Sequence, residues 1–240
     1  MLVAIRSEDR ERVDAFSAEP STRYECPNCG RLVRLRNGAV RIRHFAHQPD
    51  SSCPYASGES MGHQRAKIAL WRTFQSRGLR CEPEVFVQTL SGDRRADVMV
   101  WSPSGSRVAI EVQHSSISLE DIHDRTAAYL MTGIPVLWTA LARPWFPEDE
   151  YPEATLIAKY AAPLWQRWIH GYNFGELWFI DPVHNVVMLG KLANANYKRY
   201  KKLALGDPIP IENIMVKPFK REPVTLGRYR FPGGRAARFC

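Results

Sequence analysis

The chain is 240 residues long, 45% apolar and 24% charged, a balance that excludes intrinsic disorder and supplies a sizeable core without disulfide staples. Its apolar runs, such as Ile134 to Trp138, fall far short of the ~20 residues a membrane span needs, and the N-terminal MLVAIRSEDRERV soon turns charged, so neither a membrane helix nor a signal peptide is expected. The net charge of +8 is carried by one end: from Lys198 onward there are 11 basic and 3 acidic residues, while residues 1–197 hold 22 of each sign. Such a terminus suits a phosphate-bearing partner and equally serves as a solubilising tail.

Residues 1–57 are rich in Cys, His and Arg. Two alternating runs, Arg31 to Arg36 and Ala39 to Phe45, flank Asn37-Gly38, the dipeptide best suited to a two-residue type I′ hairpin turn. That turn predicts Arg36 opposite Ala39, Leu35 opposite Val40 and Val33 opposite Ile42. The aliphatic residues then share one face, and Arg34, Arg36, Arg41 and Arg43 share a cationic one. Cys26-x2-Cys29, fourteen residues, His44-x2-His47, five residues and Cys53 supply five candidate ligands for a four-coordinate ion. Zinc matches this donor set and can lend a small hairpin its folding energy. Cys26, Cys29, His47 and Cys53 are the expected ligands. His44 is the substitute, because regular pairing puts it on the apolar face, where a hydrogen-bonded histidine is the alternative. An odd cysteine count and metal-type spacing predict a reducing, cytoplasmic setting, with Cys81 and Cys240 as incidental thiols.

Residues 58–142 carry the chemistry. Residues 59–77 space Ile68, Trp71 and Phe74 as one helix face and stop at Gly78. Glu84 to Leu90, Arg95 to Trp101 and Arg107 to Val112 then predict an antiparallel meander. Ser118 caps a helix running to Met131, and Ile134 to Thr139 reads as a strand. The order is αβββαβ. Asp97 interrupts an apolar strand, while Glu111 and Gln113 share one face of the next. Buried carboxylates need a counter-charge. Magnesium or manganese held by Asp97 and Glu111 supplies one and could promote phosphate-ester hydrolysis. Salt bridges from Arg94 or Arg95 to Asp97 and from Arg107 to Glu111 are the structural alternative.

Cys26-Pro-Asn-Cys29, His44-Phe-Ala-His47, Glu59-Ser with His63 to Lys67, Arg95-Ala-Asp97 and Glu111-Val-Gln113-His-Ser-Ser-Ile-Ser118 resemble, in order, the motifs of the competence protein CoiA family, a branch of the PD-(D/E)xK nuclease superfamily. The resemblance covers about residues 20–140. It implies a zinc-binding module, a restriction-endonuclease-like core and a role in DNA processing during transformation or recombination. Asp97 and Glu111 would then be metal ligands, and Gln113 would stand at the superfamily's lysine position, where it can hold a water but not readily accept its proton. Glu59, His63 and Lys67 recur every four residues and could reach metal, nucleophile and phosphate respectively, or form a solvated stripe. Ser115 and Ser116, with His114 and Ser118, lie where hydroxyls and amides could meet a DNA phosphate. Asp121 and Arg125 read as a helical ion pair without chemistry.

The prolines of residues 143–152 predict a boundary, giving 1–57 as zinc module, 58–142 as nuclease-like core and 143–240 as a mixed α/β extension with a basic tail, an α/β (α+β) chain overall. Trp165 and Trp168 read as a helix stripe packing on the core. Leu177 to Ile180 and Asn185 to Leu189 read as a hairpin. Lys198, Arg199, Lys201 and Lys202 interleave with Tyr200 as candidate nucleic-acid contacts. The favoured function is a Mg- or Mn-dependent deoxyribonuclease whose partners are DNA, single- or double-stranded, and other DNA-processing proteins. A catalytically silent DNA-binding adaptor and a protein-interaction module with structural zinc are the competing readings.

Overall fold

The computed structural model describes residues 1–38, 41–49, 51–56, 58–142 and 162–192, together with the backbone of four strands beyond residue 142. At the N-terminus, β1 (Val3–Arg6), β2 (Arg12–Asp14), β3 (Tyr24–Glu25), β4 (Leu32–Arg36) and β5 (His44–Ala46) form an antiparallel sheet in the order β2-β1-β3-β4-β5. The first three strands are too short to carry a clear alternating pattern.

The hairpin register differs from the one that Asn37-Gly38 predicts. Arg34 pairs with Ala46, Leu35 with Phe45 and Arg36 with His44, so seven residues and not two separate the paired positions. Ala39 and Val40 lie outside the described residues. The physical reason is Phe45. It is 1% exposed and packs on Tyr24 with ring centroids 4.9 Å apart, and burying a whole aromatic ring outweighs a local turn preference. Val33 consequently pairs with Tyr24, and Ile42 packs beside Leu2, Val3 and Ile68.

The second body follows the predicted order of elements. It comprises α1 (Met61–Ser76), β6 (Cys81–Val87), β7 (Arg94–Trp101), β8 (Arg107–Gln113), α2 (Leu119–Met131) and β9 (Val136–Leu141). Strands β6, β7 and β8 form the antiparallel meander, and α2 links the parallel neighbours β8 and β9. β6 begins three residues earlier than the sequence suggests because it is the outer strand of its sheet, where Pro83 needs no hydrogen-bond partner for its nitrogen.

Further on come β10 (Thr155–Ile157), α3 (Leu164–Tyr172), β11 (Leu177–Asp181), β12 (Val186–Leu192), β13 (Tyr200–Lys202), β14 (Pro208–Pro210) and β15 (Val224–Arg230). The large sheet runs β10-β15-β12-β11-β9-β8-β7-β6, with β11 parallel to β9 and paired to β12 as the expected hairpin. Alternation sorts its side chains into two layers. Val98, Val100, Ile110 and Val112 pack with Ala66, Leu70 and Phe74 of α1. Met99, Ala109, Trp138 and Phe179 pack with Ile122 and Tyr129 of α2 and with Trp165 and Ile169 of α3, while Trp168 covers the edge of that layer. The molecule is thus a mixed α/β protein with two principal sheets. The proline-rich stretch 143–152, Lys198, Arg199, Cys240 and the side chains of Lys201 and Lys202 lie outside the described residues. Among the described residues no helix is long and apolar enough to cross a membrane.

Candidate functional site

The cysteine-histidine cluster forms as its spacing predicts. Cys26 and Cys29 occupy the turn between β3 and β4, closed by Gly30 N–H donating to Cys26 C=O at 3.0 Å with Gly30 at φ 68°, a conformation that glycine adopts without strain. His47 follows β5, and its Nε2 is 3.4 Å from Cys29 Sγ. One ligand atom each from Cys26, Cys29, His47 and Cys53 lies within 4.8 Å of the others. Edges of about 3.7 Å are what tetrahedral zinc requires, so a small contraction completes the shell, and this cluster can hold a metal ion such as zinc. His44 stands outside it, with Nδ1 2.6 Å from Ile42 C=O. Burial pushes the Cys81 thiol up to about 12, as suits an inert core residue.

A second constellation lies where β7 and β8 part. Their ladder ends at Val98 opposite Ile110. Beyond it Val112 N–H donates to Asp97 Oδ2 at 2.9 Å, so the carboxylate takes the place of a strand carbonyl. β8 continues alongside β9 to Gln113, and the gap opens into a cavity of about 600 Å³ lined by Glu59, His63, Asp97, Glu111 and Gln113, with Ser115, Ser116 and Arg125 at its mouth.

Asp97 does not pair with Arg94 or Arg95. His63 Nε2 lies 3.0 Å from Asp97 Oδ2, and His63 Nδ1 lies 3.9 Å from Glu59 Oε1. Glu59, His63 and Asp97 therefore bring three potential ligand atoms within 4.8 Å of one another. Burial alone would raise the Asp97 carboxyl, but the attraction and hydrogen bond of His63, with Lys67 and the Val112 amide, hold it well below the usual carboxylate range. The same pairing outweighs burial at His63 and raises it. Among the described residues His63 Nδ1 is buried without a hydrogen-bond partner, an orphaned donor or acceptor that a ligand or a water would satisfy.

Glu111 departs from the predicted two-carboxylate cage. It is 1% exposed and turned toward α2, where Tyr129 Oη donates to it at 2.7 Å and Arg125 forms a salt bridge. Burial pushes its carboxyl up to about 7, Arg125 opposes that shift and the charge of Asp97 adds to it. Arg125, read from sequence as the helical partner of Asp121, thus serves Glu111, while Asp121 accepts from Ser118 Oγ at 2.6 Å. Arg107 lies at the far end of β8. Gln113 Nε2 donates to Ser115 C=O at 2.8 Å, which fixes its amide plane. His114 stacks on His63 at 4.8 Å.

Lys67 is neither solvated nor at the cavity. It is fully buried, and its ammonium donates to Glu59 Oε1 and Oε2 at 2.8 and 2.6 Å and to Glu84 Oε1 at 2.6 Å. The expected reach for phosphate therefore gives way to a strut inside the protein. Sequence reasoning misses Glu84, although an acid in an apolar strand is the signal that singles out Asp97. Arg95 binds Glu59 at 3.0 Å and lies over the Tyr55 ring. The four hairpin arginines separate. Arg34, Arg36 and Arg41 are exposed, and Arg36 and Arg41 line an adjoining cavity of about 470 Å³ that shares Tyr55 and Glu59 with the first. Arg43 is withdrawn, donating to the carbonyls of Phe16 and Ala18.

Comparison with known proteins matches both bodies. Residues 6–56 fit the model of the competence protein CoiA N-terminal domain, and residues 59–148 that of the CoiA nuclease-like domain. A competence protein CoiA of Bacillus subtilis (strain 168) is 27% identical over 117 residues, which cover 48% of this chain and 31% of that relative. The crystal structure of a protein of unknown function, AF1548, aligns over 38% of this chain and 50% of that one at 20% identity, with a TM-score of 0.26.

Proposed function

Because the chain belongs to the competence protein CoiA family, we propose that it is a divalent-cation-dependent deoxyribonuclease with a restriction-endonuclease-like core, acting on DNA during competence or recombination. The observation that carries this reading is the convergence of Glu59, His63 and Asp97 where two strands separate, beside Glu111 and Gln113 on one cavity wall. Two carboxylates and an imidazole suit manganese, and magnesium with retained waters. The buried His63 Nδ1 without a hydrogen-bond partner, beside the Glu59 and Asp97 carboxylates, fits a bound cation. Such an ion supplies a polarised phosphate and a water of lowered pKa.

The chain's own groups then divide the work. Asp97, ionised across the physiological range, and Glu59 offer oxygen donors. Gln113, held by its bond to Ser115, orients the attacking water without taking its proton. Arg125 at the mouth meets the phosphate, and the acidic first turn of α2, Glu120 and Asp121, turns the DNA backbone away from that helix start and toward Ser115 and Ser116. The Cys26, Cys29, His47 and Cys53 site holds structural zinc, and Arg34, Arg36 and Arg41 contact DNA.

Labelled single- and double-stranded DNA incubated with the protein and magnesium or manganese is expected to be cleaved, and Asp97→Ala to abolish cleavage. A second reading, a DNA-binding adaptor without turnover, draws on glutamine at position 113 and on the Glu111–Arg125 pair. Intact DNA with salt-sensitive binding would establish it in place of the nuclease.

A further inference from the structure

The Lys67–Glu84 pair behind the cavity has no part in the chemistry just described, yet it joins the two bodies. Glu84 Oε2 accepts from the amides of Leu2 and Val3 at 2.7 and 3.2 Å, at the start of β1. Its Oε1 takes Lys67 Nζ, whose other two bonds go to Glu59. The adjacent residues are gripped from the same side, with Arg12 of β2 3.0 Å from Glu82 and hydrogen-bonded to Pro83 C=O. Glu84 sits at φ 55° in the middle of β6, facing Asp97 across the ladder but skipped by it. A non-glycine residue in the left-handed region persists only where its surroundings over-determine it. Here those surroundings are the Leu2 and Val3 amides and the Lys67 ammonium.

Glu59 needs such a hold. It precedes the N-cap Ser60 and lies outside α1, on the segment that links the N-terminal sheet to the helix, so no regular structure fixes its side chain. A carboxylate has about four lone-pair sites, and Lys67 and Arg95 leave room for a cation. We propose that Lys67 and Glu84 are positioning residues through which the docked N-terminal strand fixes Glu59 at the cation site. The inference rests on the cation-site reading above. It adds that the zinc-module sheet acts on the cleft by contact rather than serving only as a DNA grip.

Mn²⁺ binding by the zinc-replete 240-residue chain, followed through the electron paramagnetic resonance of free Mn²⁺, tests it without any cleavage assay. The double variant Lys67→Met/Glu84→Gln removes both charges together and avoids stranding either. It is expected to keep its circular dichroism, exchange the Leu2 and Val3 amides faster and bind Mn²⁺ roughly ten- to hundredfold more weakly. Glu59→Gln is expected to weaken binding in the wild type and to add little in the double variant, because the carboxylate is already released. Unchanged Mn²⁺ affinity in a folded variant, or an equal factor for Glu59→Gln in both backgrounds, overturns the positioning role while leaving the cation site standing. Wild-type protein with no Mn²⁺ uptake sensitive to Asp97→Ala removes the cation site and this inference with it. Should the double variant not fold, Glu84→Gln alone, which keeps the Lys67–Glu59 pair, is read by the same criteria.

Discussion

Asp97, Glu111 and Glu84 are buried acids within one network, and burial by itself would raise all three. Neighbours decide otherwise for two of them. Glu84 faces Lys67, Arg95 and the terminal amine of Met1, and Lys67 also hydrogen-bonds to it, so its carboxyl falls to about 2. A depressed carboxyl contributes stability that is present above the ordinary value near 4.5 and lost as pH falls toward 2. Glu84→Gln should therefore cost on the order of 3 kcal/mol at pH 7, and the gap from wild type should close between pH 4.5 and 2. Urea unfolding at pH 7, 4 and 3 measures this, and a gap independent of pH contradicts it. On the other side of the sheet Thr126 donates to Ile122 C=O at 2.7 Å and accepts from Trp138 Nε1 at 2.9 Å. Thr126→Val keeps the shape and strands the indole N–H of a fully buried tryptophan, a loss of about 1–3 kcal/mol. The urea midpoint should fall with an unchanged slope; a variant as stable as wild type would mean that the indole finds another acceptor.

At the level of elements, what sequence made legible was whatever rests on local periodicity. The apolar spacing of α1 and the Ser118 cap of α2 predicted both helices nearly to the residue, and polar residues breaking the β7 and β8 pattern marked the cavity wall. What it hid were decisions made at long range. The register of β4 on β5 follows Phe45, which packs on Tyr24 of β3, 21 residues away. The partner of Arg125 lies fourteen residues back on β8, so an i,i+4 rule pairs it wrongly. β1 to β3 gain their order from the sheet and the sulfur cluster rather than from their own two to four residues. That dependence yields a prediction. A sheet of such short strands cannot hold itself together, so Cys26→Ser should lose the roughly one equivalent of zinc expected of a four-ligand site together with amide protection in residues 1–56. Protection in α1 and β7 to β9 should survive. Full zinc occupancy by elemental analysis, or an intact exchange pattern in the variant, would falsify the structural-zinc assignment.

Across the whole molecule, two adjoining cavities share Tyr55 and Glu59, the first walled by the large sheet and α2, the second by the N-terminal sheet and the start of α1. Beside its acids the first is lined by Arg94, Arg95 and Arg125, and the second by Arg36 and Arg41, so a polyanion entering the first would have its flanking phosphates met by cations in the second. The arginines on this surface are not equivalent, because Arg43 spends its guanidinium on the Phe16 and Ala18 carbonyls. Each phosphate neutralised releases counterions and steepens the salt dependence of binding by close to one unit. Arg36→Gln/Arg41→Gln should thus weaken binding of a labelled oligonucleotide at low salt by a similar factor for every base composition. It should also flatten the plot of log affinity against log salt by about two units. Fluorescence anisotropy of the folded double variant gives both quantities. Arg43→Gln, in contrast, should lower the melting temperature and leave the slope near that of wild type. A slope that responds to Arg43 and ignores Arg36 and Arg41 would place the DNA on the opposite face of the hairpin, away from the cavity that Glu59 and Tyr55 join to the cation site.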